Sequence, residues 1–197
     1  MISAIILASG YSKRMGKNKL LLEFKGKPLI QYTLDTVFQC NFLEAFLIAR
    51  EEEIETMGNE HHIKVIKNEN AHRGISESIK LGVKAAGETE GYMFFNCDQP
   101  FLNKETVEIL VKEFKKHSHC IIIPLCKGKR GSPVVFPYMY KEDFLALQGD
   151  VGGKVVINKN LHRVKYVEVE DGMSLLDVDT EEDYEYILRL GEKKKYV

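Results

Sequence analysis

Two serines (Ser9, Ser12), two glycines (Gly10, Gly16) and four cationic side chains (Lys13, Arg14, Lys17, Lys19) crowd residues 7–19, LASGYSKRMGKNK. That combination suits an anion. Gly10 permits backbone geometry closed to other residues and lets a ligand approach the chain closely. Successive backbone N–H groups in such a loop form a nest for phosphate oxygens. Arg14 offers a planar fork for bidentate phosphate contact, and Lys19 a compact charge. The stretch matches neither G-x-G-x-x-G nor G-x-x-x-x-G-K-[ST], because Lys17-Asn18 follows Gly16, so the familiar dinucleotide and P-loop sites are disfavoured. A basic surface loop without a ligand is the alternative these residues leave open.

The acidic candidates lie far along the chain. Asp98 follows the apolar run YMFFNC and opens Asp98-Gln99-Pro100. Its carboxylate either caps the coming turn or holds a divalent metal that bridges phosphates. A second cluster, Asp177-Val178-Asp179-Thr180-Glu181-Glu182-Asp183, stands where a last helix should begin, and acids with Thr180 are what a helix N-terminus prefers. Asp177 and Asp179 also alternate along an extended segment and would face the same side. Two glycine-dense stretches carrying basic residues, 128–133 (GKRGSP) and 149–154 (GDVGGK), read either as tight turns or as contacts to a second anionic substrate. None of the six histidines sits in a motif, and they read as structural or exposed.

The elements that must position these residues alternate along the chain. Residues 2–8 (ISAIILA) form a continuous apolar run, expected for a strand buried on both faces. Residues 44–49, 63–67, 92–97 and 120–125 read as further strands. Helical spacing marks 28–39, with Pro28 suited to a first helical position, an acidic start at EEEIETM, 74–86, and 104–116, whose cations at the end suit the helix dipole. This rhythm predicts an α/β domain with an open, largely parallel sheet and helices on both faces. Shorter strands (134–136, 164–170) after Lys127 suggest a substrate-side extension of the same domain, so that residues 1–126 form the main part and 127–197 the extension with a closing helix. In such sheets ligands sit beyond the carboxyl ends of the strands, which would bring the basic loop and Asp98 to one edge.

Composition narrows the partners. At 197 residues, 44% hydrophobic and 29% charged, the chain is an ordinary globular domain. A net charge of −1 provides no global field for nucleic acid or an acidic membrane. No signal-peptide pattern opens the sequence, and no apolar run approaches the roughly eighteen residues needed to span a bilayer. Cys40, Cys97, Cys120 and Cys126 contain no C-x-x-C pair and read as buried or half-buried thiols. The expected location is the cytoplasm.

The motif set resembles the molybdopterin nucleotidyltransferases, most closely the molybdenum cofactor cytidylyltransferases. Residues 7–22, LASGYSKRMGKNKLLL, are similar to that family's L-A-A-G-x-S-x-R-M-G-x-x-K-L-L-L. Gly74-Ile75-Ser76-Glu77-Ser78 resembles its G-x-S-x-S, Asp98-Gln99-Pro100 its D-Q-P, and Gly131-Ser132-Pro133-Val134-Val135-Phe136 its G-x-P-V-x-F. Gly149-Asp150-Val151-Gly152 and the segment 177–184 complete the series in order. The resemblance implies a single-domain, three-layer Rossmann-like nucleotidyltransferase fold with a mixed, mostly parallel sheet of about seven strands. It implies nucleotide contacts from Leu7, Ala8, Ser9, Gly10, Ser12, Asn68, Gly74 and Ser76, with Asn68 near the base. Arg14 and Lys19 would hold phosphates, Asp98 and Asp179 would bind Mg²⁺, and Gly131, Pro133, Asp150 and Gly152 would shape the pterin side.

Two positions depart from the pattern. Ser9 stands where cytidylyl members usually carry Ala and guanylyl members Gly, and Lys154 stands where members often have Arg. The reaction so implied is transfer of CMP from Mg·CTP to the terminal phosphate of molybdopterin, with a molybdenum hydroxylase as a possible recipient of the product. GTP or a sugar or alditol phosphate is the nearest alternative substrate, and a non-catalytic nucleotide- or cofactor-binding accessory protein is the alternative of another class. An already ionised phosphate nucleophile needs no general base, so positioning and charge neutralisation carry the chemistry.

Overall fold

The computed structural model describes residues 1–11, 15 and 18–193. Strand β1 (Ile2–Ala8) leads through a small antiparallel ribbon, β2 (Glu23–Phe24) with β3 (Lys27–Pro28), into helix α1 (Leu29–Phe38). Then follow β4 (Glu44–Ala49), α2 (Glu52–Glu60), β5 (Lys64–Lys67), α3 (Ile75–Ala85), β6 (Gly91–Asn96) and α4 (Lys104–Lys116). The remainder comprises β7 (Ile121–Cys126), β8 (Lys129–Arg130), β9 (Val134–Pro137), α5 (Lys141–Leu145), α6 (Lys154–Lys159), β10 (Val164–Glu168) and α7 (Glu181–Lys193).

The main sheet has the order β10-β7-β9-β6-β1-β4-β5, with β8 paired to β7. Strands β6, β1, β4 and β5 run parallel, and β10 runs parallel to β7, whereas β9 lies antiparallel between β6 and β7. The mixed, mostly parallel α/β sheet expected from the sequence is present. Alternate residues of β1 feed opposite layers. Ala4, Ile6 and Ala8 join the side chains of α1 and α4, including Leu34 and Phe114, while Ile5 packs with Ile79 and Val83 of α3. A side chain at Gly82 would place its Cβ 2.4 Å from Ile5 Cγ2, so glycine there lets α3 lie close on the sheet.

Local chemistry sets the helix ends. Asn103 caps α4 by accepting from Thr106 N at 2.9 Å. Thr180 and Asp183 form a reciprocal cap at the start of α7. Asp183 N donates to Thr180 Oγ1 at 3.2 Å, and the Asp183 carboxylate accepts from Thr180 N at 2.9 Å. Pro28 is the N-cap of α1 and belongs to β3, one place before the position expected of it, because the ribbon holds it extended. Lys129 and Arg130 are exposed on a hairpin with β7, so this basic pair is spent on a turn and Arg130 lies over the Tyr166 ring.

Strand β1 has β4 on one side and β6 on the other, so the winding direction reverses beside it. That reversal opens a crevice at the carboxyl ends of β1 and β6.

Candidate nucleotide site

A pocket of about 580 Å³ occupies this crevice. Its floor is the end of β1 with Ser9 and Gly10. Ser9 is only 5% exposed, and its hydroxyl lies 2.5 Å from that of Ser78 on α3. Asn68, directly after β5, donates from Nδ2 to Ser9 Oγ at 3.2 Å and to Ser78 Oγ at 3.0 Å. Its Oδ1 accepts from Asn70 N. Both amide hydrogens are thus spent, and one serine hydroxyl donates to the other. The second hydroxyl hydrogen has no acceptor among the described residues, and both serines line the pocket.

One wall is electrostatic. Asn18 caps the short turn Lys19–Leu21 by accepting from Leu20 N, and this turn aims Lys19 across the crevice. Lys19 Nζ donates to Asp98 Oδ2 at 2.6 Å and to Asp179 Oδ1 at 2.8 Å. Backbone bonding closes the arrangement, because Val178 N donates to Asp98 O at 2.8 Å and so fastens the acidic segment to the end of β6. Burial alone would lower the pKa of Lys19, yet Asp98 and Asp179 outweigh it and hold the ammonium above its usual range. Burial pushes the Asp98 carboxyl up against the opposing pull of Lys19, and repulsion from Asp179 adds to the rise. Half-buried Asp177 is pushed up to about 7, by burial first and then by Asp98 and Asp179.

The opposite wall joins distant parts of the chain. Residues 71–75 enter α3 through Gly74, whose φ of +106° is open to glycine. A Cβ there would lie 2.4 Å from Gly149 C and 2.5 Å from Asp150 N. Asp150 Oδ1 accepts from Ile75 N at 3.3 Å, and Ser76 N donates to Gly149 O at the same distance. The loop at 149–150 therefore caps the N-terminus of α3 from outside the helix.

Of the residues singled out in the sequence, Leu7, Ser9, Gly10, Lys19, Gly74, Asp98, Asp150 and Asp179 line the pocket together. Asn68 and Ser76 are fully buried behind the wall, and Ala8 faces the core. Pro133 is buried, Gly131 abuts Leu175, and Gly152 lies beside Ile75. Gln99 ties this region to β6 by donating to Ser132 O, as does Asn96 by donating to Ser132 Oγ. Ser12 and Arg14 lie outside the described residues. Sequence reasoning missed Tyr11, His72, Arg73 and Ser78 as lining residues. His72 and Arg73 adjoin a recognised segment but carry no motif of their own, whereas Tyr11 stands at a variable position inside the 7–22 motif and Ser78 is the last position of G-x-S-x-S.

The sequence profile of the MobA-like NTP transferase domain matches residues 4–164. The chain belongs to this family. It is therefore a nucleotidyltransferase. The probable molybdenum cofactor guanylyltransferase of Natranaerobius thermophilus is 27% identical over 195 residues, with 93% of each chain covered. The molybdenum cofactor cytidylyltransferase of Escherichia coli is 26% identical over 185 residues, again covering 93% of each. Among solved structures, Rv0371c of Mycobacterium tuberculosis superposes with a TM-score of 0.82 at 24% identity, covering 95% of this chain and 97% of the other. The same mycobacterial protein in complex with manganese gives a TM-score of 0.77 at 22% identity, covering 95% and 98%. These structures share the fold. No helix among the described residues is long and apolar enough to cross a membrane.

Proposed function

We propose that this nucleotidyltransferase moves CMP from Mg·CTP to the terminal phosphate of molybdopterin and releases pyrophosphate. The observation that carries the reading is the pocket's division of labour. Its floor carries a side chain at Ser9, and its wall carries Lys19 against two carboxylates. A side chain on the floor favours the smaller pyrimidine, and the unspent serine hydrogen suits an acceptor atom of the base. The Escherichia coli relative, named as a cytidylyltransferase, supports this choice. The Natranaerobius thermophilus relative supports GTP as the competing nucleotide.

A divalent cation fits the acidic wall. Asp98 Oδ1 is buried without a hydrogen-bond partner among the described residues, an orphaned hard oxygen next to Asp179. Mg²⁺ is commonly held by one or two carboxylates together with substrate phosphates. Asp98 and Asp179 would hold the ion, and bound there it neutralises charge on the triphosphate.

The chain's own groups then orient the reaction. The backbone at Gly10 admits the triphosphate, and Lys19, with Arg14, balances its charge. An ionised oxygen of the acceptor phosphate attacks the α-phosphorus. A new O–P bond forms as the α–β bridging P–O bond breaks, and pyrophosphate leaves with the electron pair. No proton need be removed from the nucleophile. Asp150, fixed on α3, and the 131–133 segment shape the acceptor side, within the extension formed by 127–197. The product would pass to a molybdenum hydroxylase.

Pyrophosphate release with CTP, Mg²⁺ and molybdopterin tests the reading. Turnover with CTP and little with GTP is expected. Turnover that requires GTP would select the competing nucleotide, and binding of nucleotide without pyrophosphate release would make the chain an accessory protein.

A further inference from the structure

We propose that Arg50 and Glu51, the two residues after β4, are positioning residues that hold both ends of the glycine-rich loop, Tyr11 and Asn18, against the sheet. This rests on the nucleotide-transfer function proposed above.

The parallel register pairs Ala8 of β1 with Ala49 of β4, so the chain leaves both strands side by side. Arg50 Cζ lies 3.9 Å from the centroid of the Tyr11 ring, a cation–π contact. The same guanidinium forms an ion pair from Nη2 to Glu51 Oε1. The second oxygen, Glu51 Oε2, accepts from Asn18 Nδ2 at 2.6 Å. Asn18 in turn accepts from Leu20 N at 3.1 Å through Oδ1, and so caps the turn that carries Lys19. An unbroken chain of contacts thus runs from Tyr11 through Arg50, Glu51 and Asn18 to Lys19. Arg50 Nε is buried without a hydrogen-bond partner among the described residues, so the ring and Glu51 set the guanidinium's orientation.

Phosphoryl-type transfer depends on placing charge to within about 1 Å, a displacement that can cost 10²-fold in rate. Here the backbone that meets the phosphates and the ammonium that faces Asp98 lie on opposite ends of one loop. The Arg50–Glu51 pair fixes the distance between those ends. Neither residue falls in a motif, because their partners are far away in sequence.

The test is a double-mutant cycle on the affinity for Mg·CTP and Mg·GTP, measured by titration calorimetry on the full chain. Tyr11→Ala and Arg50→Ala should each weaken the nucleotide bound by the parent about five- to tenfold. The double variant should be no weaker than the weaker single. Tyr11→Phe, which keeps the ring face, should bind within about twofold of the parent, whereas Arg50→Lys, which loses the planar stack, should resemble Arg50→Ala. Losses that multiply in the double variant, or a Tyr11→Phe as weak as Tyr11→Ala, would overturn the clamp and leave the nucleotide function standing. A parent that binds neither nucleotide overturns the function itself, and the clamp with it. Should Arg50→Ala fail to fold, the cycle is run with Arg50→Lys and decides the matter in the same way.

Discussion

Lys19 Nζ lies 2.6 Å from Asp98 Oδ2, and both side chains are largely shielded from water. The family resemblance implied Mg²⁺ at Asp98 and Lys19 on phosphate, with no ion pair between the two residues. In the structure Lys19, from the turn after the first loop, pairs with Asp98 Oδ2 and reaches Asp179 as well, while Asp98 Oδ1 has no hydrogen-bond partner among the described residues. A single ammonium bridging two carboxylates from distant segments makes this wall the joint between the first strand, the end of β6 and the start of α7.

Asp98→Asn separates catalysis from stability. Burial raises the pKa of Asp98 while Asp98 helps to hold Lys19 charged, so removing its charge at constant size with Asn relieves desolvation and loosens an ion pair at once. Lys19 keeps Asp179 as a partner. We expect pyrophosphate release to fall about a hundredfold or more, the scale of losing one fixed electrostatic group at a transfer site. The melting temperature of the ligand-free protein should change little, because those two effects oppose one another and Lys19 keeps Asp179. A large loss of stability with turnover retained would make Asp98 a structural residue.

The same wall sets a pH dependence. Asp177 is pushed up to about 7 in the folded chain from a usual value of 3.8. A carboxyl raised on folding contributes stability fully at pH below its unfolded pKa, and that contribution is lost as pH rises through the folded value. Melting temperature, measured in a chelator to exclude metal, should therefore fall between pH 4 and pH 7 for the part due to this group. Asp177→Asn should flatten the slope. A slope unaffected by the substitution would assign the dependence to other groups.

Helix and strand positions were legible where the signal is local. Residues 104–116 carry Asn103 as cap, apolar residues at helical spacing and terminal lysines, and the observed α4 has those bounds. The continuous apolar run at 2–8 likewise marks a central strand with neighbours on both faces. What the sequence did not reveal depends on contacts across the fold. The family resemblance implied phosphate for Lys19 and metal for Asp98, without showing that the two side chains meet. Asp150 read as a substrate residue, yet its carboxylate caps α3, 75 positions away in sequence. The stretch 128–133 read either as a tight turn or as a contact to a second anionic substrate, and its basic pair Lys129–Arg130 lies on an exposed hairpin, because the turn at Lys127 and Gly128, both with positive φ, brings it back onto β7. His72 and Arg73 line the pocket from the short turn Ala71–Arg73 that leads into Gly74, a placement no motif marks.

Gly74→Ala should disrupt the joint between α3 and the 149–150 loop. The position combines φ +106° with a Cβ that would approach backbone atoms of Gly149 and Asp150 to about 2.5 Å. Neither strain can be relieved by turning a side chain. A loss of about 1–3 kcal/mol in chemical denaturation is expected from the dihedral alone, together with weaker nucleotide binding as Asp150 leaves Ile75 N. Normal stability in this variant would mean that the loop moves independently of α3.

Ser9 connects the fold to the choice of nucleotide. Its hydroxyl accepts from Asn68 and is bonded to Ser78, so removing it leaves one buried amide hydrogen of Asn68 without an acceptor. Ser9→Ala should therefore destabilise the ligand-free protein by about 1–3 kcal/mol. Ser9→Gly incurs the same loss but also clears the floor of its side chain, which makes room for a purine. In thermal-shift measurements with Mg²⁺, a nucleotide at about a hundred times its dissociation constant adds about 2.7 kcal/mol, a readily visible shift. The parent should be stabilised more by CTP than by GTP, and Ser9→Gly should narrow or reverse that difference. Two alternatives make contrary forecasts. If the base lies elsewhere, both nucleotides respond alike to either substitution. If the free serine hydrogen is what reads the base, Ser9→Ala and Ser9→Gly lose CTP affinity equally and GTP gains nothing. Only a GTP response specific to glycine supports steric selection at Ser9, and a parent that favours GTP from the outset would overturn the pyrimidine choice.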